Sequence, residues 1–266
     1  MTQSSYPVQE VLGVPIAAMT LEGALDLIDE TIAAGKQIQI GVVNAAKMVN
    51  MRRDSMLRAD VLSSDVIFAD GISVVWASRL LGRPLPERVA GIDLMHGMLE
   101  RGRQRRYRVF CLGATDEVLQ RTVERIKLDY PGVEVVGQQN GYFDTADEPA
   151  VAAAIKASKA NILFVAMTSP KKENFLGKWG KGLGVNVCHG VGGSFDVMAG
   201  KVKRAPALWQ RLGLEWLYRV KQEPGRLWRR YLVTNTLFGL AVLREMVSPA
   251  PLDKPNVVRH PGAPRR

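Results

Sequence analysis

The stretch YRVFCLGATDEVLQRTVERIKLDYPGVEVV, residues 107–136, decides the fold. It opens with a mostly apolar run that ends at Leu112, and Gly113 then lets the chain turn. Thr115-Asp116-Glu117 supplies an N-cap followed by two acidic residues, the signature of a helix start. Val118, Leu119, Val123 and Ile126 recur at helical spacing on one face. A second apolar run begins at Val133 and is rich in valine. Strand, helix and strand in succession predict α/β architecture with a largely parallel sheet.

The same alternation extends in both directions. Residues 39–43, 66–69, 162–166 and 185–189 read as further strands, most of them rich in Val, Ile or Phe. Helical patterns lie between them. Residues 45–57 place Met48, Val49 and Met56 on one face, and residues 147–157 carry Pro149 near the first turn, where proline is tolerated.

The pattern changes near Pro206, beyond which no strand run is visible. Residues 207–220 align Leu208, Trp209, Leu212, Trp216 and Val220 as one helix. Pro224 and Gly225 break it, and residues 226–243 resume with Leu227, Tyr231, Leu232, Leu237, Phe238 and Leu240. The stretch 231–243 is too short, and too polar at Thr234, Asn235 and Thr236, to cross a bilayer. The Pro-rich end reads as loose chain. Three regions are therefore expected: an α/β core over 1–205, a helical appendage over 206–248 and a flexible tail over 249–266.

Charge follows the same division. The formal charge is +10, yet residues 1–196 carry 22 basic and 22 acidic side chains. Residues 197–266 carry 14 basic and 4 acidic ones, so the whole excess lies there. A neutral body with a basic helical end points to an anionic partner for that end. Cys111 and Cys188 fall inside strand runs and read as buried thiols; their spacing fits neither a zinc site nor a disulfide framework. The first ten residues are polar and hold no apolar signal region.

Several segments place chemistry at strand ends, where ligands bind in open α/β sheets. Asn44 ends the 39–43 run and reads equally as a helix cap. Asp70-Gly71 ends the 66–69 run; the carboxylate fits a general base or the cap of a helix over 72–81. Arg88 fits a phosphate contact or an ion pair with Asp93. Gly113 precedes a helix N-terminus, which exposes backbone N–H groups to an anion, but the spaced glycines of a dinucleotide fingerprint and a Walker A loop are missing. Tyr142, after Asn140-Gly141, fits base stacking or plain packing. Lys171 and Lys172 sit where a helix N-terminus disfavours cations, a local conflict typical of ligand sites. Gly190-Val191-Gly192-Gly193-Ser194-Phe195-Asp196 implies backbone close to a partner such as a pyrophosphate, or a flexible loop. Arg219, Arg226, Arg229 and Arg230 cluster among aromatics, a composition suited to phosphate and to a membrane interface. No Asp-x-Asp triplet, the metal-holding pair of many sugar transferases, occurs in the sequence.

Taken in order, these motifs resemble the WecG/TagA/CpsF family, glycosyltransferase family 26, from about Val11 to about Arg244. The most specific parts are Ala69-Asp70-Gly71, Arg88-x-x-Gly91-x-Asp93-Leu94, the Gly190–Asp196 segment, Arg204-Ala205-Pro206, and Glu215-Trp216-Leu217-Tyr218-Arg219 with Glu223-Pro224-x-Arg226-x-x-Arg229-Arg230-Tyr231. The resemblance implies a Rossmann-like core and an inverting, metal-independent transferase. The sugar, ManNAc-type or glucose, would pass from a UDP-sugar to a polyprenyl-diphosphate-linked acceptor in cell-surface or exopolysaccharide biosynthesis.

The resemblance also implies residue roles. Asp70 is the expected base, with Asn44 and Arg88 beside it as catalytic residues. Gly113, Tyr142, Lys172, Glu173, Gly192, Gly193, Asp196, Arg219, Arg226 and Arg229 are expected at the donor, with no metal and no other cofactor. The expected partners are the UDP-sugar, the lipid-linked acceptor and the anionic inner-membrane surface. A homo-oligomer is left open and nucleic acid is not expected, and the protein is placed in the cytoplasm, peripheral on the inner face of the membrane. Two positions depart from the family: Val42 replaces a threonine, and Lys172 replaces the glutamine of Pro-x-Gln-Glu. The rival readings are another nucleotide-binding Rossmann-like enzyme, or a non-catalytic membrane or nucleic-acid adaptor.

Overall fold

A computed structural model describes residues 5–248 and 257–259; the side chains of Ser5, Ala207, Arg211, Arg226 and residues 257–259 lie outside the description. The chain starts with a hairpin, β1 (Ser5–Val11) and β2 (Val14–Ala17), paired antiparallel. Helix α1 (Leu21–Ala33) follows, capped by Thr20. Then come β3 (Ile38–Val43), α2 (Ala45–Met51), α3 (Ser55–Leu62), β4 (Val66–Ala69), α4 (Ile72–Leu80) and α5 (Gly91–Arg105). The decisive stretch forms β5 (Arg108–Gly113), α6 (Asp116–Asp129) and β6 (Glu134–Gln139). Helix α7 (Glu148–Ser158), β7 (Ile162–Ala166), α8 (Lys171–Trp179), β8 (Val187–Gly190) and the short α9 (Ser194–Met198) complete the α/β body.

Six strands form one sheet in the order β4-β3-β8-β7-β5-β6, and every pairing is parallel. Such a sheet is covered on both faces, so its inner strands are largely apolar; all residues of β4, β7 and β8 are buried, while the edge strand β6 ends in exposed and half-buried glutamines. Cys111 and Cys188 are free and buried inside it, and burial pushes each thiol up to about 12. The chain leaves β5 towards the β6 edge but leaves β7 towards the β4 edge. Loops therefore part between β5 and β7, opening a crevice at the carboxyl ends of the strands.

Three further helices, α10 (Ala207–Arg211), α11 (Glu215–Gln222) and α12 (Pro224–Val247), close the chain. The single helix expected over 207–220 is in fact two. Gly213 separates them at φ +70°, and a Cβ there would run into Ile72 and Trp76 of α4. Close approach to α4 outweighs helical continuity at that point. The second half of α12 belongs to the main body: Phe238, Ala241 and Val242 are buried with Val49, Met51 and Leu57 in one apolar cluster. Arg83 fastens the last turn of α12 through Glu245 at 2.9 Å, and its guanidinium also donates to the Glu10 carbonyl of β1.

Two more expectations need correction. The helix expected over 45–57 is broken after Met51, because the Asp54 carboxylate accepts from the Leu57 N–H and starts α3. Met56 consequently points to solvent instead of joining Met48 and Val49. A strand also lies beyond Pro206: β9 (Val257–Arg259) pairs antiparallel with β1, so this part of the expected loose tail is extended chain on the hairpin edge. The rest of 249–266 lies outside the described residues.

Candidate active site

Asp70 stands at the carboxyl end of β4, half-buried, in the first position after the strand. Its main-chain N–H donates to the Val43 carbonyl of β3, and its Oδ1 accepts from the Gly91 N–H at 2.9 Å. It does not cap α4, whose N-cap Gly71 makes no side-chain bond. The carboxylate is thus held across to the start of α5, with Oδ2 unpartnered among the described residues.

Asn44 stands beside it at the end of β3. It does cap α2, its Oδ1 accepting from the Lys47 N–H at 3.0 Å. A Cβ on Gly71 would come within 3.1 Å of the Asn44 Cβ, so the two strand-end loops touch. Beneath them lies His189, the third residue of β8, fully buried. Its Nε2 is 2.9 Å from the Gly91 carbonyl. A carbonyl only accepts, so Nε2 carries the proton and Nδ1 is left buried without a partner. Burial above all pulls this imidazole down to about 4, which keeps it neutral at pH 7. Gly91 therefore meets Asp70 through its N–H and His189 through its C=O.

Arg88 makes the ion pair with Asp93 that was weighed above, within a larger network. Its guanidinium meets Glu215 of α11 at 2.7 Å and Asp93 of α5 at 3.2 Å. Arg204 closes the network, 2.6 Å from Asp93 and 3.7 Å from Glu215. Burial works against the charge on Arg88, but the bond to Glu215 and the nearby Asp70 and Asp93 carboxylates outweigh it and hold its pKa above the usual value. The Arg88–Asp93 pair is partly buried, not a surface contact, and it ties α11 to the Asp70 loop. Arg219 lies one turn beyond Glu215, on the same face of α11, and is exposed. Arg229 is exposed on α12; the Arg226 side chain lies outside the described residues.

On the other flank, α8 brings Lys172 and Glu173 to the sheet edge. Both are buried. The Lys172 stem passes over Gly190, where a Cβ would lie 2.6 Å from its Cδ; at this position of the glycine-rich segment the close approach is made by a lysine. Gly192, at φ +52°, and Gly193 face open space or the half-buried Asp196. Lys172 and Lys47 both reach Glu173 Oε1, at 3.4 and 3.1 Å. Burial and the neighbouring Lys47 pull Lys172 down to about 8. Glu173 is pulled down to about 2: burial opposes its charge, but Lys172 and Lys47 outweigh it. Val42 and Lys172, the two departures from the family pattern, line one small cavity of about 20 Å³ with Lys47 and Glu173.

The β5–β7 crevice holds the remaining expected residues. Gly113 is buried at the end of β5, where a Cβ would collide with the Ala166 backbone. Lys171 donates to the Gly141 and Phe143 carbonyls at 2.9 and 2.7 Å, which explains its place at a helix N-terminus: it fastens the loop after β6. Tyr142 on that loop is 78% exposed, so it is not a packing residue. Among the described residues no group of three or more His, Cys, Asp or Glu side chains could hold a metal ion, and no helix is long and apolar enough to cross a membrane.

A parallel sheet with a carboxylate, a buried lysine beside a half-buried one, and flanking arginines along one edge is an α/β arrangement suited to an anionic substrate. The sequence match makes the class specific. Over residues 9–251 the chain belongs to the Glycosyl transferase WecG/TagA/CpsF family. It is 41% identical over 204 residues to an N-acetylglucosaminyldiphosphoundecaprenol N-acetyl-beta-D-mannosaminyltransferase of Bacillus spizizenii, with 77% of each chain covered. The chain is a glycosyltransferase.

Proposed function

We propose that this transferase moves a ManNAc-type sugar or glucose from a UDP-sugar to a polyprenyl-diphosphate-linked acceptor, with inversion and without a metal, at the inner face of the membrane. The observation that carries the reading is the placement of Asp70: a carboxylate at the sheet edge with one oxygen fixed by Gly91 and the other unpartnered, beside a helix tethered through Arg88 and Glu215. The acceptor of the Bacillus spizizenii relative, N-acetylglucosaminyldiphosphoundecaprenol, supports the acceptor class.

In the proposed step the acceptor hydroxyl gives its proton to Asp70 Oδ2 as its oxygen bonds to the anomeric carbon of the donor. The bond from that carbon to the UDP oxygen breaks on the opposite side, and UDP leaves with the electron pair. Positive charge must meet the departing diphosphate. We assign that role to Arg219 and Arg229, exposed on α11 and α12, and to the Lys47–Lys172 pair at the sheet edge. Residues 206–248 bring those arginines and their neighbouring aromatics to the lipid surface. Exposed Tyr142 beside the β5–β7 crevice suits the uracil ring.

The test is a screen of UDP-sugars against short-chain polyprenyl-diphosphate sugars, with and without EDTA, reading products by mass spectrometry. Product from a UDP-hexose, unchanged by EDTA, is expected. Failure of every pair, or full loss of turnover in EDTA, would overturn the reading or its metal-free form respectively.

A further inference from the structure

Away from the sheet edge, the C-terminal end of α2 and the last turns of α12 enclose an open groove of about 630 Å³, the size of a small-molecule site. Its wall on α12 is apolar and wet: Leu240, Leu243 and Val247 are all more than half exposed. Its rim carries Arg52 and Arg53, in the turn just past α2, and Arg244 from α12. Among the described residues none of the three makes an ion pair and no carboxylate lines the groove. Glu245, the nearest acid in sequence to Arg244, is engaged by Arg83.

The plain alternative is that these arginines neutralise helix ends. Two helix C-termini converge here, and each carries about half a negative charge. Together they offset roughly one of three guanidinium charges, which leaves a cationic rim over an apolar floor. An occupant must therefore pair an anionic head with a hydrocarbon body. A second copy of the chain fits poorly, since each copy carries +10 and would set like charges together.

We propose that this groove is a binding site for one anionic phospholipid, its phosphate among Arg52, Arg53 and Arg244 and an acyl chain along Leu240, Leu243 and Val247. The proposal deepens the reading of a membrane-associated transferase and rests on it. It assigns lipid contact to the catalytic body as well as to the exposed helices. The site stands close to the chemistry: α2 runs seven residues from its cap Asn44, so the groove lies about 10 Å along the helix from that residue. A phospholipid held there sets the Asp70 edge beside the bilayer surface where a lipid-linked diphosphate resides.

The full chain, without sugar nucleotide, is sedimented with vesicles of phosphatidylcholine alone or mixed with phosphatidylglycerol, and cross-linked to phosphatidylglycerol bearing a photoreactive acyl chain. Binding to the mixed vesicles and cross-links within residues 237–248 are expected. The Arg52→Gln/Arg53→Gln/Arg244→Gln variant should bind the mixed vesicles on the order of tenfold more weakly and lose the cross-links. Leu240→Gln/Val247→Gln changes only exposed side chains, so it folds, and should weaken binding several-fold (roughly what two lost apolar contacts give). Arg121→Gln/Arg125→Gln/Lys127→Gln removes the same charge from the exposed face of α6 and should stay within about twofold of wild type. Equal loss in the α6 variant, equal binding to phosphatidylcholine, undiminished binding in either groove variant, or the absence of cross-links within residues 237–248 would each overturn the site. Transfer to a short-chain acceptor in detergent is assayed in parallel. Its absence in the wild type would remove the lipid-linked-acceptor reading while leaving the lipid result intact.

Discussion

Asp70 shows how little a single side chain needs in order to be both fixed and available. Oδ1 is held by the Gly91 N–H, which leaves Oδ2 for a substrate proton. In Asp70→Asn the amide oxygen still accepts from Gly91, so geometry survives and basicity does not. Turnover should fall on the order of 10² to 10⁴-fold, the usual share of a general base, while UDP-sugar affinity measured by calorimetry changes little. An active Asn variant would show that the proton goes elsewhere. Glu173 offers a stability counterpart. Its pKa is depressed to about 2, so it stabilises the fold above the ordinary carboxylate range and loses that contribution as pH falls from about 4.5 towards 2. Glu173→Gln leaves the buried Lys172 and the half-buried Lys47 without a counter-charge, and should cost about 3 kcal/mol in urea unfolding at pH 7; the gap to wild type should narrow by pH 3. At this scale the sequence is informative where a polar residue interrupts an apolar run at a strand end, as Asn44 and Asp70 do. It is silent about His189, because a histidine inside a strand looks like core and nothing in the spacing connects it to Gly91, 98 residues away.

Among the elements, α12 serves two masters. Its exposed Trp228, Leu232 and Val233 face solvent, yet Phe238, Ala241 and Val242 complete the core over α2. Phe238→Ala should therefore destabilise the protein by about 3–4 kcal/mol, a drop on the order of 10 °C in Tm for a chain of this size. A melting point within 2 °C of wild type would show that the helix is only docked. By contrast, Arg219→Ala/Arg229→Ala alters exposed groups and should reduce transfer without lowering Tm. The parallel strands were legible because burial on both faces writes them as unbroken apolar runs. The β1–β2 hairpin was not: Pro7 and Pro15 interrupt its pattern, and its turn places Leu12, not a glycine alone, at positive φ. The false continuity over 45–57 and 207–220 has one cause. Apolar spacing records which face is buried but not where a cap such as Asp54, or a close approach such as Gly213, interrupts the backbone.

At the scale of the whole molecule, charge and exposed apolar surface coincide. Residues 197–266 hold the entire positive excess, and the same helices expose Leu208, Trp216, Trp228, Leu232 and Leu243. Two forces with different salt responses should then bind the protein to anionic vesicles. Attraction of the basic helices to lipid phosphates is screened as the Debye length shrinks from about 10 Å at 0.1 M salt to about 3 Å at 1 M. Insertion of the aromatic and aliphatic side chains is not weakened by salt. Sedimentation across that range should show affinity falling by an order of magnitude or more and then levelling at a residual, salt-resistant value. Complete release at 1 M would mean that the apolar face stays in water. A flat profile would mean that the basic side chains face away from the lipid and that the apolar surface alone holds the protein there.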